Sequence, residues 1–342
     1  MLDLLKTLCA LPGVSSFEDP VRDYILQQAK PYVDEITVDA MGNLILFKKG
    51  KKTTGNKLML CAHMDEVGLM ITSVTDEGYL KFDFVGGVDR RVSIGKRVLV
   101  GEKAIPGIIG IKAYHLVSRE EEKTVPKTDS LYIDIGATDK ESAEKLVNLG
   151  DYAVFDSDWV EFGNGMVKAK ALDDRVGCAI MLALLKEELP MDVTFAFTVQ
   201  EEVGTRGAFG AAFRVTPQIA LVLETTTAAD IPSSQEHQQV CSPGKGPVVP
   251  FMDGGTIYDR GLFETLRKLA VDNHIPWQTK HYVAGGTDAR AVQRTKEGVR
   301  TAGMAAAVRY LHAPSSVGCI KDFEDMLAMT RLFVAQLARE EE

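Results

Sequence analysis

The chain has 342 residues, 45% of them hydrophobic and 25% charged, the balance of an ordinary globular protein of one large or two smaller domains. A formal net charge of −9 argues against nucleic acid or an anionic membrane as partner, and no apolar run approaches the roughly 18–20 residues that span a bilayer. Five cysteines (Cys9, Cys61, Cys178, Cys241 and Cys319) are scattered and form no C-x-x-C pair, which points to reduced thiols in the cytoplasm.

The opening stretch MLDLLKTLCALPG lacks a basic segment followed by a cleavage site, so it does not read as a signal peptide. Leu2, Leu4, Leu5 and Leu8 form the apolar stripe of a first helix, which Pro12-Gly13 ends. Ser16 and Asp19 resemble a capping box that opens a second helix carrying Val21, Tyr24 and Ile25 on one face. Strands at 35–38 and 44–47 flank a Met41-Gly42-Asn43 turn, and 57–62 is a continuous apolar run of the kind buried inside a sheet. From 67 to 163 the texture changes. GYLKFDFV, KRVLV, IPGIIGI and SLYIDI recur between glycines and polar turns, as in a small β-barrel or sandwich. One helix, with Thr138 and Glu141 as its capping box and Gly150 as its stop, interrupts them, and the polar stretch 118–130 reads as a mobile loop. After 166, helices at 174–189, 261–273, 288–294 and 323–337 alternate with strands at 193–199, 219–223, 279–283 and 305–311. The acidic tail 340–342 reads as a solvated terminus. The pattern is an α/β domain with a β-rich domain inserted in it.

Metal-seeking side chains stand where these strands give way to loops. The first long strand delivers His63, and those at 193–199, 219–223 and 305–311 deliver Glu201 with Glu202, Glu224, and His312. Asp173 and Asp174 sit at the entrance of the helix that runs to 189. Sites in open α/β sheets form beyond the carboxyl ends of the strands, so one edge gathers a donor set suited to two divalent cations. Singly, each residue has an ordinary explanation: a structural His, an N-cap Asp, a solvated strand end. Jointly, those explanations require several independent coincidences.

Neighbouring side chains in a strand point to opposite faces, so Glu201 and Glu202 can share a site only where the strand breaks, and the stretch 203–207 supplies a break. One carboxylate can then bind a cation while the other takes a proton from water whose pKa coordination lowers from about 15.7 toward 7. Asp65 suits the task of holding the far imidazole N–H of His63 and fixing its tautomer. Cys61 reads as a small core residue, and His115, His237, His274 and His281 as surface or structural residues. Gly285-Gly286-Thr287-Asp288 is, on physical grounds alone, a turn and a helix cap.

The stretches AHMDEVG (62–68), ALDDRVG (171–177), TVQEEVGTRGA (198–208), GGTDA (285–289) and VRYLHAP (308–314) resemble, in order and spacing, the M42 family of dinuclear metallo-aminopeptidases. That group includes glutamyl and tetrahedral aminopeptidases, and some members carry an endoglucanase label. The resemblance runs the length of the chain. It implies a phosphorylase/hydrolase-like α/β catalytic domain at 1–66 and 164–342, with a PDZ-like β-barrel dimerisation domain at 67–163. It implies two divalent cations per subunit, zinc or cobalt with manganese as a third choice. One would be held by His63, Asp173 and Glu224, the other by Asp173, Glu202 and His312, with Asp173 bridging. Glu201 would be the general base and then the acid, Asp65 would orient His63, and Gly286, Thr287 and Asp288 would wall the substrate pocket. One cation would also receive the free amine of a short peptide substrate. The same resemblance implies a homo-oligomer, a tetrahedral dodecamer built from dimers.

Two positions depart from the family pattern. Glu224 stands where Asp is more common, and APSS follows His312 where SP and an acid are usual. Paired carboxylates alone would also serve glycoside cleavage, but that chemistry gives His63, His312 and Asp173 no task. A non-catalytic assembly protein on the same scaffold would not need every one of these positions filled. Side-chain preference at the substrate's N-terminal position is left open by the sequence.

Overall fold

The apolar run LMLCA folds as an inner strand of a nine-stranded sheet, with helices against both of its faces. The computed structural model describes residues 1–340 apart from Ser233 and the side chain of Asn56; Glu341 and Glu342 of the acidic tail lie outside the described residues. The strands up to the end of the inserted region are β1 (Glu35–Val38), β2 (Leu44–Lys48), β3 (Leu58–His63), β4 (Gly68–Val74), β5 (Leu80–Val85), β6 (Arg97–Val100), β7 (Ile105–Gly110), β8 (Tyr132–Asp134), β9 (Tyr152–Phe155) and β10 (Val160–Phe162). Those that follow are β11 (Met166–Ala169), β12 (Val193–Thr198), β13 (Ile219–Thr227), β14 (Arg300–Arg309) and β15 (Ser316–Cys319). The helices are α1 (Leu2–Ala10), α2 (Asp19–Ala29), α3 (Arg90–Ser93), α4 (Lys140–Glu144), α5 (Leu172–Leu185), α6 (Arg206–Val215), α7 (Arg260–Asp272), α8 (Ala289–Gln293) and α9 (Ile320–Arg339).

The large sheet has the order β1-β2-β12-β3-β13-β14-β15-β11-β10, and its central strands β12, β3, β13 and β14 are parallel. Alternation along β3 shows why the run is apolar throughout. Leu58, Leu60 and Ala62 pack with α1, α2, α5, α7 and α9, whereas Met59 and Cys61 face the smaller core made with α6 and α8. A strand covered on both faces has no side left for polar residues. The inserted region forms a closed antiparallel barrel, β4-β5-β8-β7-β6-β9, around Leu69, Ile71, Leu80, Val98 and Ile133.

Several elements differ from the sequence reading. The segment 279–283 is irregular, because its neighbours are held by side chains and isolated bridges instead of a ladder. Glu18, not Ser16, is the N-cap of α2, and Ser16 takes a left-handed turn (φ 77°) whose amide donates to Glu18 Oε1. The short α4 is capped by Asp139 with Ser142, one residue beyond the expected pair. Three 3-10 turns punctuate the stretch 114–130.

Where α1, the exit of β3 and the start of α5 meet, a charged cluster is sealed inside the protein. Glu66 Oε1 accepts from Lys170 Nζ at 2.6 Å and faces Arg175 Nη2 at 3.4 Å, and all three residues are buried. The two cations also cap free carbonyls: Lys170 donates to Leu11 O, and Arg175 to the carbonyls of Leu8, Leu11 and Met64. Removing one member leaves buried charge uncompensated. Glu66→Ala should therefore lower stability by roughly 3–5 kcal/mol, read as a shift of the guanidinium denaturation midpoint at matched protein concentration. A midpoint equal to wild type would show that the cluster is dispensable.

Candidate functional site

The parallel strands end on one sheet edge, and the side chains expected to gather there do so. His63, the last residue of β3, places Nε2 3.2 Å from Glu224 Oε1 and 3.3 Å from Asp173 Oδ1. His312 places Nε2 3.3 Å from Asp173 Oδ2 and 3.2 Å from Glu202 Oε2. Asp173 thus turns one oxygen to each imidazole. The donors of each trio, His63–Asp173–Glu224 and Asp173–Glu202–His312, lie within 4.8 Å of one another.

Local backbone geometry brings them in. Ala171, Gln200 and His312 all adopt left-handed conformations (φ 53°, 56° and 57°). Such positions are costly for residues with a Cβ and persist where surrounding structure holds them. The Gln200 turn comes before the glutamate pair, so the strand breaks earlier than the expected 203–207. The reason is that side chains replace ladder partners: Val199 N donates to Asn43 Oδ1 and Gln200 N to Glu18 Oε1. Glu224 lies inside β13, not at its end. Pairing with β3 stops at Val222↔Cys61, while pairing with β14 carries β13 on to Thr227↔Val308. Asp173 and Asp174, joined by a cis peptide, depart from helical geometry at the start of α5. Asp174 turns inward to accept from Gly177 N at 2.9 Å, and a Cβ on Gly177 would lie 2.4 Å from its Oδ2.

Asp65 touches more than one ring. His63 Nδ1 faces the Asp65 carbonyl at 3.1 Å and its carboxylate at 3.4 Å. The same carboxylate accepts from Ser15 Oγ (2.6 Å), Glu201 N (2.9 Å) and Glu202 N (3.1 Å), and so ties the glutamate loop to β3. Burial works to raise this carboxyl, but the hydrogen bonds from His63, Ser15 and the Glu201 amide outweigh it and hold it below the usual carboxylate range. Ser15 is fifty positions from Asp65, and nothing local marked it. His312 is held from another side, by the backbone of Gly87 in the turn that follows β5 of the barrel.

The electrostatics are those of a site built for cations. Burial, then the charges of Asp173 and Asp288, push Glu224 up to about 8 against the pull of His63. Burial and neighbouring carboxylates hold Glu201 and Glu202 well above their ordinary range. Burial opposes charge on Asp173 as well, but His312 and His63 overcome it and keep its carboxyl well below that range. Burial pulls both imidazoles down, and the surrounding carboxylates more than reverse that. Glu224 Oε2 is buried without a hydrogen-bond partner. With Nδ1 of His63 facing acceptors, its Nε2 points a lone pair at two carboxylates in the neutral tautomer, an arrangement that invites a cation between them. Donors at about 2.0–2.2 Å from a tetrahedral ion sit roughly 3.3–3.6 Å apart, close to the separations observed. The residues fit the implied metals.

Beside the cluster opens a cavity of about 130 Å³, lined by His63, Asp173, Glu201, Glu224 and His312 on one side. Gly286 and Thr287 are in its wall, together with Thr225, Thr226, Thr227 and Lys280, which sequence reasoning did not single out. Asp288 is fully buried behind it, accepting from Thr198 Oγ1 at 2.5 Å and Cys61 Sγ at 3.7 Å. A larger cleft of about 580 Å³ between α1 and the barrel contains none of the clustered donors.

A family model described as M42 glutamyl aminopeptidase matches residues 42–329. The chain is 40% identical to a putative aminopeptidase of Acetivibrio thermocellus over 96% of its own length and 97% of the relative's. It is 30% identical to a lysyl aminopeptidase of Pyrococcus furiosus, with 98% and 97% covered. Among solved structures it is similar to the Pyrococcus horikoshii TET1 peptidase, which can assemble into a tetrahedron or a large octahedral shell. The TM-score is 0.86 and the identity 36%, with 97% of this chain and 98% of that one covered.

If Asp65 is the brace that the geometry indicates, Asp65→Asn should weaken divalent-cation affinity by about 10- to 100-fold, measured by calorimetry on chelator-stripped protein. Affinity equal to wild type would remove Asp65 from that role.

Proposed function

This chain belongs to the M42 peptidase family, and on that premise we propose that it is an aminopeptidase that removes N-terminal residues from short peptides at a centre of two divalent cations. The observation that carries the reading is Asp173, whose two oxygens face two different imidazoles, each flanked by a further carboxylate. His63, Asp173 and Glu224 would hold one ion and Asp173, Glu202 and His312 the other. Zinc or cobalt suits these nitrogen and oxygen donors, and manganese is a third choice. When bound, such ions supply Lewis-acid polarisation of the scissile carbonyl and a lowered pKa for water.

The chain's own groups do the rest. Glu201 lines the cavity and makes no ion pair with either imidazole within 4 Å, so its carboxylate is free to take a proton from the attacking water and return it to the leaving amine. Burial holds its carboxyl well above the usual range. Asp65 keeps the Glu201 and Glu202 amides in place. A free α-ammonium is attracted by the surplus of buried carboxylates, whereas a blocked N-terminus loses that attraction. Gly286 and Thr287 would wall the pocket, with Asp288 supporting it from behind. The imidazoles and Asp173 have no part in a glycosidase mechanism, so the paired glutamates do not favour that alternative.

The catalytic unit would comprise residues 1–66 and 164–342, and the unit 67–163 would carry dimer contacts within a tetrahedral dodecamer. The assembly recorded for the TET1 relative supports this, as do Ile108, Tyr114 and Leu116, which stand exposed on the inserted unit. A cytoplasmic site of action is consistent with five free, buried cysteines. No helix among the described residues is long and apolar enough to cross a membrane.

Glu201→Gln should keep both ions yet lose about 10²- to 10⁴-fold in kcat, measured on peptides with a free amine after metal loading. Near-normal turnover would place the base elsewhere. N-acetylated versions of the same peptides should resist the wild-type enzyme, and equal cleavage of both would end the aminopeptidase reading. Light scattering that returns a monomer would remove the assembly from the proposal.

A further inference from the structure

The larger cleft, of about 580 Å³, lies where α1 meets β6, β9 and the chain leaving the barrel at 156–159. Its size is within the roughly 300–1,000 Å³ of small-molecule pockets, which favour the junction of two structural units. The lining is mainly apolar: Cys9, Val154 and Phe155 are buried, and Leu99 and Trp159 are partly so.

Two polar groups interrupt that lining, Lys170 and Tyr152, and both residues are only 6% exposed. Lys170 Nζ donates to Glu66 Oε1 at 2.6 Å and to Leu11 O at 2.9 Å, so one of its three donors has no acceptor in the protein. Among the described residues the Tyr152 hydroxyl has no hydrogen-bond partner. The charge behind the cleft is also uneven. Glu66 is within ion-pair distance of both Lys170 and Arg175, and among the described residues no second carboxylate is. These three buried groups therefore sum to a surplus positive charge, which is costly away from water. The mouth carries both signs, with Lys6, Glu102 and Asp158 exposed and Asp156 paired to Arg97 at 3.2 Å.

We propose that this cleft is a second ligand site, which takes a small apolar carboxylate. An aryl or alkyl body lies against the apolar wall, and the carboxylate accepts from Lys170 and from the Tyr152 hydroxyl. Such an anion supplies the counter-charge that the Glu66 cluster lacks and engages donors that the protein leaves open. A neutral apolar molecule would fill the space without matching the charge, and a cation would add to it. Two sources share this chemistry: a simple organic acid, and a free amino acid with an apolar side chain, whose ammonium would meet Glu102 or Asp158. The inference stands apart from the aminopeptidase reading. A ligand so placed touches α1, β9 and Lys170 together, and so bridges the barrel to the α/β layer.

The probes are 3-phenylpropanoate, its amide 3-phenylpropanamide, and L-phenylalanine, titrated into the metal-loaded full chain by calorimetry and tryptophan fluorescence. The acid should bind saturably and change the fluorescence, and Trp159→Phe should lose that change. The amide keeps the body without the charge and should bind at least about 10-fold more weakly; Tyr152→Phe should weaken the acid by a similar factor. Ala10, an exposed residue of the lining, offers a control. Ala10→Phe should fill the cleft and abolish this binding while peptide turnover stays unchanged, whereas a carboxylate bound at the metal centre would survive that substitution. Tighter binding of L-phenylalanine than of 3-phenylpropanoate identifies an amino acid as the source, and the reverse order a simple organic acid; either sustains the proposal. Equal affinity for acid and amide overturns it, because the cleft is then merely apolar. A wild type without a saturable Trp159 response overturns it, and so does a response that Ala10→Phe leaves intact. None of these outcomes requires the Tyr152 variant to fold.

Discussion

Like charge held out of water is the constraint around which this protein is arranged. Asp173, Glu201, Glu202 and Glu224 crowd one sheet edge, and two imidazoles do not neutralise them. A cluster of this kind would lower its energy by taking up protons or dispersing into solvent, and the fold allows little dispersal. Four parallel strands bring the residues to one level, and left-handed turns at Ala171, Gln200 and His312 aim the side chains inward. The carboxylate of Asp65 binds the glutamate loop to the strand that carries His63. Carboxylates kept together by a rigid frame form a cluster that could hold metal ions.

The inserted barrel takes part in that frame. Its turn after β5 reaches the cluster, where the Gly87 backbone holds His312 and a Cβ on Gly86 would approach Glu202 Cβ to 3.4 Å. The buried Glu66–Lys170–Arg175 cluster secures the other side, tying α1 to the exit of β3 and the entrance of α5. Two sets of buried charge therefore stand on either side of Asp65. The one beside α1 sets a single carboxylate between two cations that also donate to carbonyls; the one at the strand ends carries a surplus of carboxylates.

One ligand-like position departs from the family resemblance. Glu224 stands where the family resemblance leads one to expect Asp, and its Oε2 is left without a partner. Lys280 lies in the cavity beside it. Both side chains line the same cavity, Glu224 as part of the His63–Asp173–Glu224 group.

The sequence by itself determined the α/β class, the inserted β-rich region and the seven residues His63, Asp65, Asp173, Glu201, Glu202, Glu224 and His312 as a group. Apolar periodicity and strand-end position are local properties, and a chain displays them before it folds. Tertiary structure decided what depends on residues distant in sequence. Glu224 lies within a strand because β14 pairs past the point where β3 stops. The break before Glu201 depends on Asn43 and Glu18, and the brace at Asp65 on Ser15. Asp288, expected in the pocket wall, is drawn behind it by Thr198 and Cys61. Lys280 lies in irregular chain where a strand is expected at 279–283, because Gln278 is pinned by Ser242 and Gly246. Hydrogen bonds across such separations leave no periodic trace in a sequence, so they appear only once packing has brought their partners together.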